Sequence, residues 1–154
     1  MAGENVIELF LADETATQRL GERLAASLPD RATVFLCGDL GAGKSTIARA
    51  MLRALGVTGP IKSPTYTLIE RYPSEQGELA HLDLYRIGDP EELAYLGLDE
   101  LLATARLWLI EWPERGQGGL PACDLSVHLA VDAAGRKATI VPTSPVGRDW
   151  LRDF

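Results

Sequence analysis

The glycine-rich segment Gly38–Ser45 carries the residue types best suited to hold a phosphate group. It reads GDLGAGKS and matches the pattern G-x-x-x-x-G-K-[ST] without a mismatch. Glycines let a backbone turn tightly and direct successive N–H groups into one anion-binding hollow. Lys44 can reach the β- and γ-phosphates, and the hydroxyl of Ser45 can ligate Mg²⁺. The segment therefore predicts a site for a nucleoside triphosphate.

Two observations argue that this match did not arise by chance. The residue frequencies of the chain give about 0.003 expected matches to the pattern. The motif also follows the apolar run Thr33–Cys37, which is typical of a strand covered on both faces, and a helix is predicted over about 44–55. A strand, a glycine-rich turn and a helix N-terminus are the context that a phosphate-binding loop requires.

An acidic residue near the metal, at the end of a neighbouring strand, is the second requirement of such a site. Glu111 directly follows another apolar run, Leu107–Ile110, and ligands of open α/β sheets bind where the parallel strands end. Glu111 is therefore the predicted acid, although a polar residue that merely ends a strand fits the same pattern. Trp112 and Glu114 either belong to the site or cover its rim.

A second group of reactive side chains lies in the segment His81–Arg86. On a strand, His81, Asp83 and Tyr85 point to one face, and the leucines between them point to the other. An imidazole, a carboxylate and a phenol together can orient a water molecule or support a metal. The alternative is a half-exposed strand with one solvated face. Arg86 either steadies phosphate charge or makes only a surface pair.

The hydroxyl-rich segment Ser63–Thr67 is predicted to form a loop after the phosphate-binding helix. In P-loop switch proteins, this region senses the γ-phosphate. Ordinary turn chemistry explains a proline among hydroxyl residues equally well. Both interpretations therefore stay open for this loop.

The sequence lacks the segment that usually recognises guanine, and this absence indicates which base the nucleotide carries. Specificity for guanine usually depends on an N-K-x-D segment, and Asn5 is the only asparagine in the sequence. Asp132–Gly135 fits the pattern D-x-x-G, but it lies between two alternating apolar segments and is typical of a hairpin turn. The sequence therefore favours ATP over GTP.

Composition limits the class of protein further. The 154 residues suffice for one domain with its own core, and 46% hydrophobic and 24% charged residues are ordinary globular values. A net charge of −7 argues against autonomous nucleic-acid binding, so any nucleic acid would be reached through a partner.

Cys37 and Cys123 are predicted to be reduced, which favours a cytoplasmic protein. Because Met1–Asn5 has no basic residue and the apolar runs are short, we expect neither a signal peptide nor a membrane span.

Strands alternate with helices along the chain, which indicates an α/β fold. We predict a mixed, mostly parallel sheet of the P-loop nucleoside triphosphate hydrolase type, flanked by helices and with a C-terminal β-hairpin, in a single domain of residues 1–154. Strands are predicted over about 6–11, 33–37, 66–71, 79–85, 106–110, 125–131 and 136–142, and helices over about 16–27, 44–55, 89–97, 98–102 and within 145–154.

Several segments together resemble the bacterial TsaE (YjeE) family of small P-loop ATPases. They occur in the order and spacing of that family and cover nearly the whole chain: GDLGAGKST at Gly38–Thr46, SPTYTLIE at Ser63–Glu70, HLDLYR at His81–Arg86, DPEEL at Asp89–Leu93 and IEWPE at Ile110–Glu114. The resemblance implies ATP and Mg²⁺ as ligands, weak ATPase activity in isolation and a role in tRNA threonylcarbamoyladenosine biosynthesis. It also implies TsaB- and TsaD-type partners. The resemblance further implies that the TsaD-type protein performs the transfer to tRNA and that the ATPase resets or regulates the complex.

The family resemblance also implies roles for individual residues of this chain. Catalytic roles fall to Lys44, Asp83 and Glu111, with Asp83 as an essential acid. Ser45 and Glu111 match positions around Mg²⁺, and Ser45 replaces a threonine that many members carry at that position. Residues that match positions around the nucleotide are Gly41, Ala42, Gly43, Lys44, Ser45 and Thr46 at the phosphates, Thr65 in the switch-like loop and Trp112 beside the nucleotide. The segment around Glu14 and Thr15 and the hairpin turn at Gly135 and Arg136 resemble regions that flank the adenine.

Two other functions are compatible with a phosphate-binding loop. A small-molecule P-loop kinase needs an acceptor pocket and an arginine-bearing lid, and the chain shows no insertion long enough for a lid. A non-catalytic adaptor would bind ATP without hydrolysing it, even with its partners present. The sequence therefore favours an ATP-hydrolysing switch, with the kinase as the alternative.

Overall fold

The computed structural model describes residues 6–154, so the predictions made for Met1–Asn5 lie outside its range. Short 3-10 helices lie at Pro90–Leu96 and Pro113–Gly116. The other elements of the described part are β1 (Ile7–Leu11), α1 (Glu14–Ala26), β2 (Ala32–Cys37), α2 (Lys44–Ala54), β3 (Ile69–Tyr72), β4 (Glu78–Asp83), α3 (Leu98–Thr104), β5 (Ala105–Glu111), β6 (Leu125–Asp132), β7 (Gly135–Pro142) and α4 (Pro145–Trp150).

One seven-stranded sheet forms the centre of the fold, in the order β1-β7-β6-β2-β5-β4-β3. The four central strands, β6, β2, β5 and β4, are parallel to their neighbours within this group. The pairs β1–β7, β6–β7 and β3–β4 are antiparallel. The predicted mixed sheet with a C-terminal hairpin is therefore confirmed, but three of the six pairs among the described strands are antiparallel, so the sheet is not mostly parallel as predicted. Its parallel pairs are confined to the centre.

Helices cover both faces of the central strands, which explains why these strands are almost continuously apolar. On one face, α1, α2 and α4 pack over a core that includes Leu36, Leu107 and Val127. On the other face, the 3-10 helix Pro90–Leu96 and α3 pack over a second core around Ile110. The carboxyl ends of β2, β4 and β5 thus meet at one edge of a sheet that is fixed from both sides.

The close packing of α1 against α2 places the start of α1 beside the phosphate-binding segment. Asp13 caps α1, because its Oδ1 accepts a hydrogen bond from the N–H of Ala16 at 2.8 Å. A Cβ at Gly21 would lie 2.8 Å from the Cβ of Ala50 on α2, so only glycine allows this approach. The two helices therefore bring residues near 13–17 to the N-terminus of α2.

The largest differences from the predicted elements lie around β3 and β4. β3 begins at Ile69 rather than at 66, because the preceding residues form a turn in which the N–H of Leu68 donates to the carbonyl oxygen of Pro64 at 2.8 Å. β4 ends at Asp83, so the prediction that Tyr85 shares its strand face is wrong. The cause is local: the carboxylate of Asp83 accepts a hydrogen bond from the N–H of Tyr85 at 3.1 Å and turns the chain.

The remaining helix, thiol and membrane predictions have clear outcomes. The helix predicted over about 89–97 is a 3-10 helix at Pro90–Leu96, and the side chain of Asp89 caps it by accepting a hydrogen bond from the N–H of Glu91. Cys37 and Cys123 are free thiols, and burial raises the pKa of both. Across residues 6–154, no helix has the length and apolar character that crossing a membrane requires.

Candidate nucleotide-binding site

The loop between β2 and α2, residues 38–43, is called the phosphate loop below, and it leaves the N-terminus of α2 open to a ligand. Gly43 is the N-cap, with a φ of 111° in the left-handed region that favours glycine, and no side chain caps the helix. Gly38 has a φ of 145°, and a Cβ there would clash with the carbonyl oxygen of Leu129 on β6. The N–H groups of the first turn are therefore not occupied by a capping side chain, which is the arrangement that binds phosphate at a helix N-terminus.

Lys44 lies across this loop and is only 5% exposed. Its ammonium group donates hydrogen bonds to the carbonyl oxygens of Gly38 at 2.5 Å and of Asp39 at 2.9 Å. The indole ring of Trp112 covers it, with the ring centroid 4.4 Å from Nζ. Phosphate oxygens bind an ammonium ion more strongly than neutral carbonyls do, so a phosphate can displace these contacts.

Glu111 meets the start of α2 through Ser45. The hydroxyl of Ser45 lies 3.1 Å and 3.2 Å from the two carboxylate oxygens of Glu111 and donates to them. From β4, Nε2 of His81 lies 2.7 Å from Oε2 of Glu111. Glu111 is 3% exposed and His81 is 1% exposed. The carboxylate is thus held between a hydroxyl and an imidazole, directly beside the phosphate loop.

Asp83 lies in register with Glu111 across β4 and β5. Burial raises the pKa of the Asp83 carboxyl above its ordinary value, and the negative charge of Glu111 adds to this effect. The N–H of Tyr85 and the positive charge of Lys44 act in the opposite direction. A carboxylate with a raised pKa is a stronger base, so Asp83 is suited to accept a proton.

The alternative interpretation of β4, a half-exposed strand with one solvated face, is wrong. Its residues from Leu79 to Asp83 are all buried, because cores lie on both faces of the strand, with Leu79 in one core and Leu82 in the other. Tyr85 lies beyond the end of the strand and packs against Trp112, with ring centroids 5.0 Å apart and planes at 55°. Tyr85 therefore supports the ring that covers Lys44.

A cavity of about 250 Å³ lies between the phosphate loop and the ends of β4 and β5. It brings together most of the predicted site residues, from segments that are far apart in the sequence. Its walls are formed by Leu40, Gly41, Gly43, Lys44, Ser45, Thr46, Thr65, Asp83, Glu111 and Trp112.

A second cavity, of about 330 Å³, lies against the same loop and reaches two of the three remaining predicted residues. Ala42 and Arg136 line it, and Nη2 of Arg136 donates to the carbonyl oxygen of Gly41 at 3.2 Å. Thr15 is exposed and does not line this cavity, whereas Glu14 and Thr17 do. Glu14 belongs to the segment that the family resemblance places near the adenine, whereas no pattern in the sequence pointed to Thr17.

The loop Ser63–Thr67 connects this site to the surface. The hydroxyls of Ser63 and Thr65 lie 2.6 Å apart, and Thr65 lines the cavity at the phosphate loop. The next residue, Tyr66, is 79% exposed, and the guanidinium of Arg86 lies 4.4 Å from its ring centroid. Arg86 thus contacts an aromatic ring of the loop, a partner that neither interpretation of the sequence included.

The donor atoms at the site fit a magnesium ion shared with a nucleotide. Among residues 6–154, no three His, Cys, Asp or Glu side chains are grouped closely enough to hold a metal ion by themselves. Mg²⁺ commonly takes one or two carboxylates and completes its shell with phosphate oxygens and water. The hydroxyl of Ser45 and the carboxylate of Glu111 supply such a partial set.

Comparison with known proteins gives a consistent result over nearly the whole chain. A family model described as "Threonylcarbamoyl adenosine biosynthesis protein TsaE" matches residues 11–138. The Haemophilus influenzae protein named tRNA threonylcarbamoyladenosine biosynthesis protein TsaE is 39% identical over 150 residues, which cover 94% of this chain and 95% of the relative. The Aquifex aeolicus protein of the same name is 35% identical over 136 residues, which cover 86% and 94%.

The fold is also similar to a solved structure. The crystal structure of Bacillus subtilis YdiB superimposes with a TM-score of 0.79 and 26% sequence identity. The match covers 97% of this chain and 93% of that chain. The similarity in sequence and the similarity in structure therefore extend over the same elements that form the site.

Proposed function

The chain belongs to the TsaE family of tRNA threonylcarbamoyladenosine biosynthesis proteins, and on this premise we propose that it is a Mg²⁺-dependent ATPase. One observation carries the proposal: Lys44, Ser45, Asp83 and Glu111, from three separate segments, line one cavity beside a phosphate-binding loop. These are the groups that phosphoryl transfer to water needs, namely a phosphate cradle, metal-holding oxygens and a base.

The phosphate loop binds and orients the triphosphate. The N–H groups at the start of α2 and the ammonium of Lys44 hold the β- and γ-phosphates. Ser45 and Glu111 would hold Mg²⁺, which when bound neutralises charge on the phosphate oxygens. Lys44 exchanges its bonds with the carbonyls of Gly38 and Asp39 for bonds with phosphate.

Asp83 acts on the attacking water. It borders the cavity beside Glu111, and burial raises its pKa, which makes its carboxylate a stronger base than that of an ordinary aspartate. Glu111 is already engaged by Ser45 and His81. Asp83 therefore orients the water and accepts its proton as the γ-phosphoryl group is transferred.

The second cavity is the proposed place for the adenine. Arg136, in the hairpin between β6 and β7, and the first turn of α1 line it on the side of the loop away from Glu111. The cavities share Gly41, Gly43 and Thr46, so one nucleotide can extend from one into the other along the loop. ATP is the proposed ligand, because the sequence lacks a guanine-recognition segment.

The proposed biological role is a switch or reset factor on a complex of TsaB- and TsaD-type proteins in the cytoplasm. Thr65 borders the phosphate cavity and Tyr66, the next residue, is exposed, so the loop can report the γ-phosphate to a partner. With a net charge of −7, the protein would reach tRNA indirectly through that complex. Residues 1–154 would act in this role as a single domain.

The deciding experiment measures ATP turnover with and without the purified TsaB–TsaD pair. We expect slow release of free phosphate from the protein alone, and a changed rate with the pair present. A phosphorylated metabolite in place of free phosphate would indicate the small-molecule kinase instead. Bound ATP that is never hydrolysed, even with both partners, would indicate a non-catalytic adaptor.

A further inference from the structure

His81 is a buried polar group at the site that the mechanism above leaves without a role. It lies on β4, two residues before Asp83, and is 1% exposed. Its Nε2 is 2.7 Å from Oε2 of Glu111. Asp83, and not His81, is in register with Glu111, so the imidazole reaches diagonally across the two strands to the carboxylate.

The hydrogen bond between His81 and Glu111 fixes which ring nitrogen carries the hydrogen. A contact of 2.7 Å between a ring nitrogen and a carboxylate oxygen requires a hydrogen between them, and an ionised carboxylate only accepts. The hydrogen therefore lies on Nε2, and His81 donates. With the hydrogen on Nδ1 alone, two lone pairs would face each other. Nδ1, which is buried and has no partner within residues 6–154, would then become an unpaired donor.

The two contacts of Glu111 respond differently to a bound metal. Ser45 donates to Glu111 here, but the oxygen of the same hydroxyl is itself a proposed metal ligand, so the geometry of this contact depends on where the metal lies. The bond from His81 comes from β4 and involves no proposed metal ligand other than Glu111. It is therefore the contact that can keep the carboxylate in place in both states.

We propose that His81 is a positioning residue that holds the carboxylate of Glu111 in the orientation needed for Mg²⁺, an inference that rests on the proposed function. Hydrogen bonds to metal-ligating side chains fix their orientation and contribute strongly to metal affinity. His81 acts through Glu111 and is not a catalytic residue, because it does not line the cavity that Asp83 and Glu111 border. Because β4 is paired with a strand on each side, the backbone that carries His81 is held in a fixed position.

Three substitutions separate the hydrogen bond from simple packing. In His81→Gln, the side-chain amide nitrogen is as many bonds from Cβ as Nε2 of histidine, so it can still donate to Glu111. In His81→Asn, the amide nitrogen corresponds in position to Nδ1 and stops short of the carboxylate. His81→Leu removes the donor and keeps an apolar side chain in the buried position.

The measurement is binding of a non-hydrolysable ATP analogue by calorimetry, in EDTA and over a series of Mg²⁺ concentrations. We expect His81→Asn and His81→Leu to raise the Mg²⁺ concentration for half-maximal enhancement of binding by roughly 10–100-fold, with His81→Gln within about threefold of wild type. Binding in EDTA should be unchanged in all three, because the phosphate loop is intact. Thermal melting without ligand identifies any variant that fails to fold.

Several outcomes would overturn the role of His81. One is a Mg²⁺ response that is the same in every variant; another is a folded His81→Gln protein that responds as poorly as His81→Leu. Loss of binding in EDTA would indicate a structural role instead. Should the variants not fold, long-range ¹H–¹⁵N spectra of wild-type protein decide, since a hydrogen on Nδ1 alone contradicts the proposal. If wild type shows no Mg²⁺ response at all, the proposed function itself fails.

Discussion

Asp83 and Glu111 are paired in register at the carboxyl ends of two parallel strands, yet their carboxylates have different surroundings. Glu111 is bonded by Ser45 and His81, whereas Asp83 accepts only a backbone N–H, that of Tyr85, among the hydrogen bonds of residues 6–154. Two acids at equivalent positions can thus do different work, one holding a metal and the other accepting a proton. This difference in environment, and not the distance along the sequence, separates their roles.

Substitution of Asp83 by asparagine should slow ATP hydrolysis while it stabilises the fold at neutral pH. Asparagine keeps the oxygen that accepts from Tyr85 but cannot act as a base, so turnover should fall by about 10²–10⁴-fold. Because burial raises the pKa of Asp83, its ionised form is less favourable in the folded protein than in the unfolded chain. The variant should therefore melt at a higher temperature than wild type at about pH 7.

The pH dependence of this stabilisation provides a separate check. The folded-state pKa of Asp83 lies above its ordinary value of 3.8, so the cost of ionisation is absent below 3.8, grows as the pH rises from 3.8 to the folded-state pKa, and is constant above it. The difference in melting temperature between Asp83→Asn and wild type, measured without nucleotide, should narrow as the pH is lowered from neutral. If the difference in melting temperature stays constant as the pH is lowered from neutral towards 3.8, the pKa of Asp83 is not raised.

Substitution of Lys44 by alanine should abolish hydrolysis by weakening the binding of the triphosphate. Lys44 is the ammonium group at the phosphate cavity, and the backbone N–H groups alone carry no full positive charge. The matched control is Lys137→Ala, since Lys137 is exposed and its only ion pair among the described residues is a 3.6 Å contact with Glu8. Phosphate release should disappear in the first variant and persist in the second, and unchanged turnover in Lys44→Ala would refute the role of the loop.

The parts of the site that could be predicted from the sequence are those that depend on residues close together in the chain. The phosphate loop is a contiguous motif, and Glu111 directly follows an apolar run, so both could be placed without tertiary information. The bond between His81 and Glu111 could not, because it depends on the diagonal offset of two strands that are 30 residues apart. The end of β4 was missed for a related reason: alternation continues to Tyr85, but the side chain of Asp83 turns the backbone first.

Substitution of Gly38 by alanine should destabilise the protein more than substitution of Gly56, another glycine with a positive φ. Gly38 has a φ of 145°, and a Cβ there would clash with the carbonyl oxygen of Leu129. Gly56, after α2, has a φ of 99° and open space around it, so Gly56→Ala should cost only about 1 kcal/mol of backbone strain. Denaturant unfolding should show a clearly larger loss for Gly38→Ala, and equal losses would mean that the strand and loop shift freely.

Trp112 should report nucleotide binding through its fluorescence. Its ring covers the ammonium of Lys44 at 4.4 Å and packs on Tyr85, and both contacts lie at the phosphate cavity. When Lys44 turns from the carbonyls of the loop to phosphate oxygens, the surroundings of the indole must change. The other tryptophans, Trp108 and Trp150, are each 4% exposed in the two cores and outside the cavity. Titration with an ATP analogue should therefore change the fluorescence emission of the wild type and of Trp150→Phe. The emission of Trp112→Phe should stay the same. A change in emission that persists in Trp112→Phe would place the nucleotide elsewhere.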